Sequence, residues 1–343
     1  MATIRDVAAR ANVSVATVSH VMNGSRRVND ETRQRVLDAI HHLKYRRHGI
    51  ARSLRRSKSG AIGVIISDIT NPFFADLVRG IETAIQEIDP ESHIILSNTD
   101  EDAAKELQVI DVLMEKRVDG LILAPAGGNE GFLSDLVSRA FPMVFVDRAL
   151  PQVDADSVVV DNTVGARRIV EHLIALGHRR IAAMRATLHA TSIDARISGY
   201  QTALREAGIK PDPRLVIESA SEIGAAYAAG QRVLALDPIP EAVFCSNNFT
   251  TLGLIRAIHA AGLRCPDDIA VVGFDDFPWA DSFHPQLTAV SQPAFAMGED
   301  AIRLLFDRIN ERRTGKSVQL TLSTDLVVRE SCGALIKRGA PTP

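Results

Sequence analysis

The sequence predicts an α/β protein: an N-terminal helix-turn-helix headpiece followed by a two-lobed core built on parallel sheets. Three observations carry that reading. The chain has 343 residues, well over the roughly 150 of an average domain. Its charge is split: residues 1–60 hold 13 Lys and Arg against four Asp and Glu, a local +9, and the remainder holds 26 against 38, or −12, behind a formal net charge of −3. From Gly60 onward, short apolar runs alternate with stretches of helical spacing, the pattern of repeated strand-helix units.

Composition narrows the class further. With 46% hydrophobic and 24% charged residues the chain can bury a core, which excludes global disorder. No apolar run reaches the roughly 18–20 residues that span a bilayer. The N-terminus MATIRDVAARANV carries Arg5, Asp6 and Arg10 where an export signal would be apolar, so a cytoplasmic protein without membrane association is expected. Cys245, Cys265 and Cys332 are scattered thiols that make neither a disulfide framework nor a zinc site. No metal and no cofactor is expected.

The basic head resolves into three short helices. Thr3 can cap a helix whose third residue is Asp6, and Ile4, Val7, Ala8 and Ala11 then share one face. Asn12-Val13 interrupts the pattern, and Ser14 offers a new cap. Val15, Val18, Val21 and Met22 continue it until Asn23-Gly24 supplies a stop. Asn29 caps a third helix with Val36, Ile40 and Leu43 on one side. A tight turn between the first two helices makes a helix-turn-helix, whose second helix enters the DNA major groove. Spacing turns Val15, Ala16, Ser19 and His20 outward: His20 can pair with a purine edge, and Val15 and Ala16 can touch a thymine methyl. A solvated charged face accounts for a single basic run, but a +9 head suggests a polyanion-binding module.

The run TIRDVAARANVSVATVSHVMNGSRRVNDETRQRVLDAIHHLKY, followed by ARSL, strongly resembles the LacI/GalR family of bacterial transcriptional regulators, and the resemblance extends over the whole chain. It implies a DNA-binding headpiece, a hinge helix and an effector-binding core similar to periplasmic sugar-binding proteins. Positions matching Val15, Ala16 and His20 choose operator bases. Those matching Thr3, Ser14, Thr17, Ser19, Asn23, Arg27, Asn29 and Thr32 clamp the backbone or support the reading helix.

His48 to Lys58, HGIARSLRRSK, reads on its own as a short basic linker, because so few residues barely nucleate a helix. The resemblance places a hinge helix here that forms on DNA and pushes Leu54 into the minor groove beside its symmetry mate. Such a wedge kinks the duplex while Arg52, Arg55 and Arg56 neutralise phosphates.

In the acidic body, strand-like runs fall at Ala61 to Ser67, His93 to Asn98, Gly120 to Ala124, Met143 to Val146 and Ser157 to Asp161, with helical spacing from Asn71, Asp102 and Gly131. A second series falls at Ile181 to Met184, Leu215 to Ser219, Ala242 to Ser246, Ile269 to Phe274 and Leu287 to Ser291. Two series imply two Rossmann-like lobes, with ligands at the C-terminal strand ends. The expected division is a headpiece at 1–46, a hinge at 47–59, a first lobe from 60–161 and 292–321, a second from 162–291 and 322–332, and a tail at 333–343.

Polar residues collect at those strand ends: Asn71-Pro72-Phe73-Phe74, Asp147-Arg148, Asn247-Asn248, Asp275-Asp276 and Gln292, with Arg196 on the helix after the first strand of the second series. Amide, carboxylate and guanidinium groups hold sugar hydroxyls by paired hydrogen bonds, and an aromatic face covers the C–H side of the ring. Singly, each has a plainer reading as core, ion pair or turn. The resemblance assigns Asn71, Phe73, Phe74, Asp147, Arg148, Arg196, Asn247, Asp275 and Gln292 to sugar contacts, as in the pentose-binding relatives, and LGHRRI at 176–181 is another hallmark. Two departures stand out: Asn248 occupies a position where the family usually has Asp, and Ala190 replaces an arginine of the purine-responsive relative. Phe249 and Trp279 are possible further aromatic walls.

No GxGxxG follows a strand, and no GxxxxGK[ST], GxSxG or HExxH occurs. Adjacent Asp275 and Asp276 should diverge, and His41-His42 reads as a solvated face. An enzyme is not expected. The expected partners are double-stranded operator DNA, a small-molecule effector with sugar favoured, and a second copy in a homodimer joined through the helix after Asn71 and a long helix from Ala294 to Glu311. No leucine heptad follows Cys332, so no tail-mediated tetramer is expected. Two alternatives stay open: a nucleobase, nucleoside or phosphorylated metabolite acting as corepressor, and an architectural protein that bends DNA without an effector.

Overall fold

The computed structural model describes residues 2–23, 26–45, 58–187 and 191–334. The expected hinge helix with Arg52 and Leu54, the substituted position Ala190 and the Asn23 side chain lie outside the described residues. The chain divides into two compact units, Met1–Ser59 and Gly60–Pro343.

The first unit is three helices: α1 (Ile4–Ala11), α2 (Val15–Asn23) and α3 (Asp30–His42). Local chemistry sets each boundary. Thr3 and Asp6 form a capping box, and Asn12 ends α1 in the left-handed region at φ 51°, a conformation asparagine tolerates better than most residues. Thr17 N donates to Ser14 Oγ at 3.0 Å, starting α2. Thr32 N donates to Asn29 Oδ1 at 2.8 Å, starting α3. Val7, Ala8, Ala11, Val18, Val36 and Ala39 make the small core, with Ile4, Val21, Ile40 and Leu43 packed around it.

The second unit contains two parallel-sheet lobes. The first sheet uses β1 (Ala61–Ile66), β2 (His93–Asn98), β3 (Gly120–Leu123), β4 (Met143–Val146), β5 (Asp156–Val160) and β11 (Gln319–Leu322) in the order β11-β5-β4-β3-β1-β2. The second uses β6 (Ile181–Ala186), β7 (Val216–Ser219), β8 (Ala242–Cys245), β9 (Ala270–Phe274), β10 (Thr288–Ser291) and β12 (Asp325–Val327) in the order β12-β10-β9-β8-β6-β7. Every pairing is parallel except β10 with β12. The chain passes between sheets after β5, after β10 and after β11.

Helices α4 (Pro72–Ile88), α5 (Ala103–Glu115), α6 (Glu130–Ser138) and α11 (Ala294–Ile309) belong to the first lobe, and α7 (Asn162–Ala175), α8 (Thr191–Glu206), α9 (Ile223–Leu234) and α10 (Asn248–Ala260) to the second. Alternation along β1 shows how the first lobe is filled. Ile62, Val64 and Ile66 pack with Leu77, Ile81, Ile302 and Leu305 of α4 and α11. Ala61 and Ile65 face the other side with Ile110 and Leu133, as the two-residue period of a strand requires.

Helices α4 and α11 meet backbone to backbone. A Cβ on Gly80 would stand 2.0 Å from Phe295 O, and one on Gly298 would stand 2.1 Å from Leu77 O. Only glycine permits that approach. Among the described residues, no helix is long and apolar enough to cross a membrane.

Sequence patterning missed β11 and β12. Both are edge strands, half exposed along their length, so neither carries the buried apolar run that marks a central strand. Several other limits shift by a residue or two, and two shifts have a visible local cause. The expected strand at Leu215 starts at Val216, because Asp212 caps a single 3₁₀ turn at Pro213–Leu215. The long helix from Ala294 ends at Ile309 instead of Glu311, where Glu311 takes a left-handed φ of 54°.

Candidate functional site

The C-terminal strand ends of both lobes open onto one cavity of about 360 Å³. Asn71, Phe73, Phe74, Asp147, Arg148, Arg196, Asn247, Asp275 and Gln292 all line it. The fold thus gathers into one place residues that stand far apart in sequence.

Each lobe contributes an aspartate–arginine pair. Asp147 follows β4 at φ 67° and Asp275 follows β9 at φ 73°, a left-handed conformation that aspartate, like asparagine, tolerates better than most residues. Both turns carry a carboxylate at the cavity. Arg148 Nε donates to Asp147 Oδ2 at 3.0 Å, and its Nη1 and Nη2 donate to Glu101 Oε2 and Oε1 at 2.7 and 3.0 Å. Burial works against the Arg148 charge, but Asp147 and Glu101 more than offset it and raise its pKa.

Arg196, on α8, is held from several directions. Its Nε donates to Asn162 Oδ1 at 2.8 Å, and its Nη1 donates to Ser246 O at 2.8 Å and to Asp275 Oδ2 at 3.3 Å. Its guanidinium carbon lies 3.8 Å from the centroid of the Phe274 ring, a cation–π contact. Asp275 also accepts from Gln292 Nε2 at 2.5 Å. Burial raises the Asp275 pKa, while Arg196 and Gln292 pull it back. Gln292 Oε1 is buried without a hydrogen-bond partner among the described residues.

The remaining site residues double as local structure. Asn71 caps α4 and accepts from Phe73 N at 3.1 Å. Asn247 caps α10 in a capping box with Thr250, and its Nδ2 donates to Ser221 Oγ at 2.6 Å. Phe73 and Phe74 meet edge to face with ring centroids 5.0 Å apart. They belong to the first lobe's core and also border the cavity, so the core reading and the site reading hold together. Asp276 diverges from Asp275, as its adjacency implied, and pairs with both terminal nitrogens of Arg329 at 2.8 and 2.9 Å.

Sequence reasoning missed Asp68, Asp100, Glu101, Thr187, Ser192, Ser221 and Glu222, which also line the cavity. Most of them follow strands β1, β2, β6 and β7, so the strand-end rule applied to every strand would have found them. Phe249 lines the cavity but Trp279 does not; it is 48% exposed and stacks at a tilt on Phe277.

On the headpiece, Val15 and Ala16 are exposed at the start of α2, while Thr17, Ser19 and His20 are half-buried. Thr3, Ser14, Arg27 and Asn29 are exposed and Thr32 is half-buried. Three of these residues, Thr3, Ser14 and Asn29, perform the capping described above.

Residues 3–48 match the bacterial regulatory proteins of the lacI family, and residues 170–332 match the periplasmic binding protein-like domain. The chain is 34% identical over 336 residues to the ribose operon repressor of Haemophilus influenzae, covering 98% of this chain and 100% of that protein. It is 32% identical over 332 residues to the HTH-type transcriptional repressor PurR of Aliivibrio salmonicida, covering 96% and 99%. Its structure is similar to that of the lac repressor dimer bound to operator and the anti-inducer ONPF, with a TM-score of 0.85, 27% identity and coverage of 96% and 99%.

Proposed function

Because this chain belongs to the lacI family of bacterial regulatory proteins and is a DNA-binding repressor with a small-molecule effector, we propose that its effector is an uncharged sugar of pentose size held between the lobes. The charge balance of the cavity carries this reading. Arg148 and Arg196 are its only lining cations among the described residues, against Asp68, Asp100, Glu101, Asp147, Glu222 and Asp275. Both arginines are already paired with carboxylates. A phosphorylated metabolite would meet surplus negative charge and no unpaired guanidinium. A polyol instead meets carboxylate and amide acceptors for its hydroxyl hydrogens, amide donors for its oxygens, and Phe73, Phe74 and Phe249 for its C–H surface. The volume of about 360 Å³ lies at the small end of ligand pockets, which run roughly 300–1,000 Å³.

The headpiece at 1–46 presents α2 to the major groove of operator DNA, with Val15, Ala16 and His20 at base edges and Thr3, Ser14, Thr17, Ser19, Asn23, Arg27, Asn29 and Thr32 on or near the backbone. Residues 47–59 form the hinge, with Leu54 as the minor-groove wedge and Arg52 on phosphate. A homodimer places one headpiece on each half-site, and the protein works in the cytoplasm. The sugar binds the DNA-incompetent arrangement of the lobes more tightly and so releases the operator, since a ligand of equal affinity for both arrangements shifts nothing.

The test is operator binding by fluorescence anisotropy, on a site selected from random DNA, repeated with D-ribose, other pentoses, hexoses, nucleobases, nucleosides and sugar phosphates. A saturable loss of operator affinity with an unphosphorylated sugar supports the reading. A response confined to nucleobases or phosphorylated compounds would refute the sugar, and no response to any effector with equal bending of arbitrary DNA would favour an architectural protein.

A further inference from the structure

A hydrogen bond joins the lobes at the rim of the cavity, in addition to the one from Thr191 Oγ1 to Ala149 O at 3.2 Å. Asn248 Nδ2 donates to Asn71 Oδ1 at 2.9 Å. Asn71 caps α4 of the first lobe and Asn248 opens α10 of the second. Asn248 is 3% exposed and does not line the cavity, whereas Asn71 does.

Backbone donors fix both amide orientations. Phe73 N donates to the same Asn71 Oδ1 at 3.1 Å, and Phe249 N donates to Asn248 Oδ1 at 2.9 Å. Reversing either amide would set an NH₂ against a backbone N–H. The Asn71 oxygen is therefore committed to two donors, and its Nδ2 is the polar group left for the cavity.

We propose that Asn248 is a specificity-determining positioning residue: by anchoring Asn71 across the lobes, it commits the Asn71 side chain to donate toward an acceptor oxygen of the effector. This rests on the sugar reading given above. A carboxylate at position 248 would still accept from Phe249 N, but its second oxygen would face the Asn71 oxygen. Asn71 must then swing away from Phe73 N or turn its NH₂ toward residue 248, and either movement withdraws the donor from the effector.

The experiment has two arms, on wild type, Asn248→Asp and Asn248→Ser, with a thermal melt confirming that each is folded. Without ligand, amide exchange is followed at Phe73, whose N–H depends on the Asn71 oxygen. Exchange at least tenfold faster in Asn248→Asp is expected, and an unchanged rate overturns the anchoring. With ligand, affinities are measured for D-ribose and its singly deoxygenated and singly fluorinated analogues, fluorine being able to accept but not donate. Wild type should penalise one deoxy position at least tenfold more than the fluoro analogue at the same position. In both variants that one penalty should shrink to within twofold while the others persist. Penalties that are unchanged, or that shrink uniformly, overturn the positioning role. If wild type binds no ribose, the analogue series is built on the unphosphorylated sugar that does bind; if no such sugar binds, the sugar reading falls, and the exchange arm alone decides whether Asn248 holds Asn71.

Discussion

Arg196 Nη1 lies 3.3 Å from Asp275 Oδ2, and the two side chains are only 3% and 7% exposed. Such a pair is costly to break one-sidedly, because the survivor is left as an uncompensated buried charge. Arg196 has further duties, holding Asn162 Oδ1 and Ser246 O, so Arg196→Ala should destabilise the core by about 3–5 kcal/mol. Asp275→Asn keeps the shape and removes the charge. It leaves the Arg196 guanidinium with only the neutral acceptors Asn162 Oδ1 and Ser246 O and the Phe274 ring, so it too lowers stability, and the comparison is made well below its melting range. Hydrogen bonds to a charged group contribute about 1.5–3 kcal/mol, so sugar affinity should fall by roughly 10- to 100-fold with effector-free operator binding within twofold of wild type. Calorimetric titration and operator anisotropy on the same sample check this, and equal loss of both activities would place Asp275 in general folding instead of the site.

Burial raises the Asp275 pKa despite Arg196 and Gln292, which gives a pH dependence of definite sign. The ionised carboxylate accepts from a sugar hydroxyl, and protonation removes that acceptor. Sugar affinity should therefore weaken on acidification at a higher pH than the usual aspartate value of about 3.9 would produce. Asp275→Asn should abolish this component. Stability moves the other way: the folded chain binds this proton more tightly than the unfolded chain, so the group's contribution becomes more favourable as pH falls through its raised folded pKa. Titrations across mildly acidic pH with both proteins separate the two effects.

The first-lobe helices make a third expectation. Gly80 faces Phe295 O and Gly298 faces Leu77 O at distances no Cβ can share. The obstacles are backbone atoms of well-packed helices, so relief requires α4 and α11 to separate. Alanine gains about 1 kcal/mol in helix propensity, but overpacking costs roughly 1–3 kcal/mol or more. Gly80→Ala and Gly298→Ala should each lower stability in urea melts of the intact protein, and a stabilised variant would show that the helices yield easily.

Much of this was legible in the sequence, for identifiable reasons. The headpiece helices announce themselves because their caps are local: Thr3 with Asp6, Ser14 with Thr17 and Asn29 with Thr32 each lie three residues apart. The central strands are legible because burial on both faces requires apolar runs such as Ala61–Ile66. Edge strands β11 and β12 are not, since half-exposed segments alternate with polar residues and resemble loops. Within the site, residues beside strong signals such as Asp147-Arg148 were found. Glu101 was not, although it makes two of the Arg148 bonds, because nothing local ties position 101 to position 148. The Asn71–Asn248 contact was equally hidden: it depends on how two lobes face each other across 177 positions of sequence.

The headpiece supplies the last expectation. Val15 is 42% exposed and Ala16 is exposed beside it at the start of α2, while His20 is half-buried one turn further along. On a helix, residues 16 and 20 are neighbours on one face, so a groove that meets Ala16 also meets His20. An imidazole can donate to or accept from a purine edge, whereas alanine offers only apolar contact. His20→Ala should relax base preference at one position of each half-site, at about 1–3 kcal/mol of discrimination, without altering the salt dependence set by phosphate contacts. Arg27→Ala should do the reverse: weaken binding nearly uniformly across sequences and reduce the salt slope by about one. Selection from random DNA at two salt concentrations reads both, and an unchanged base preference in His20→Ala would remove that residue from the reading surface.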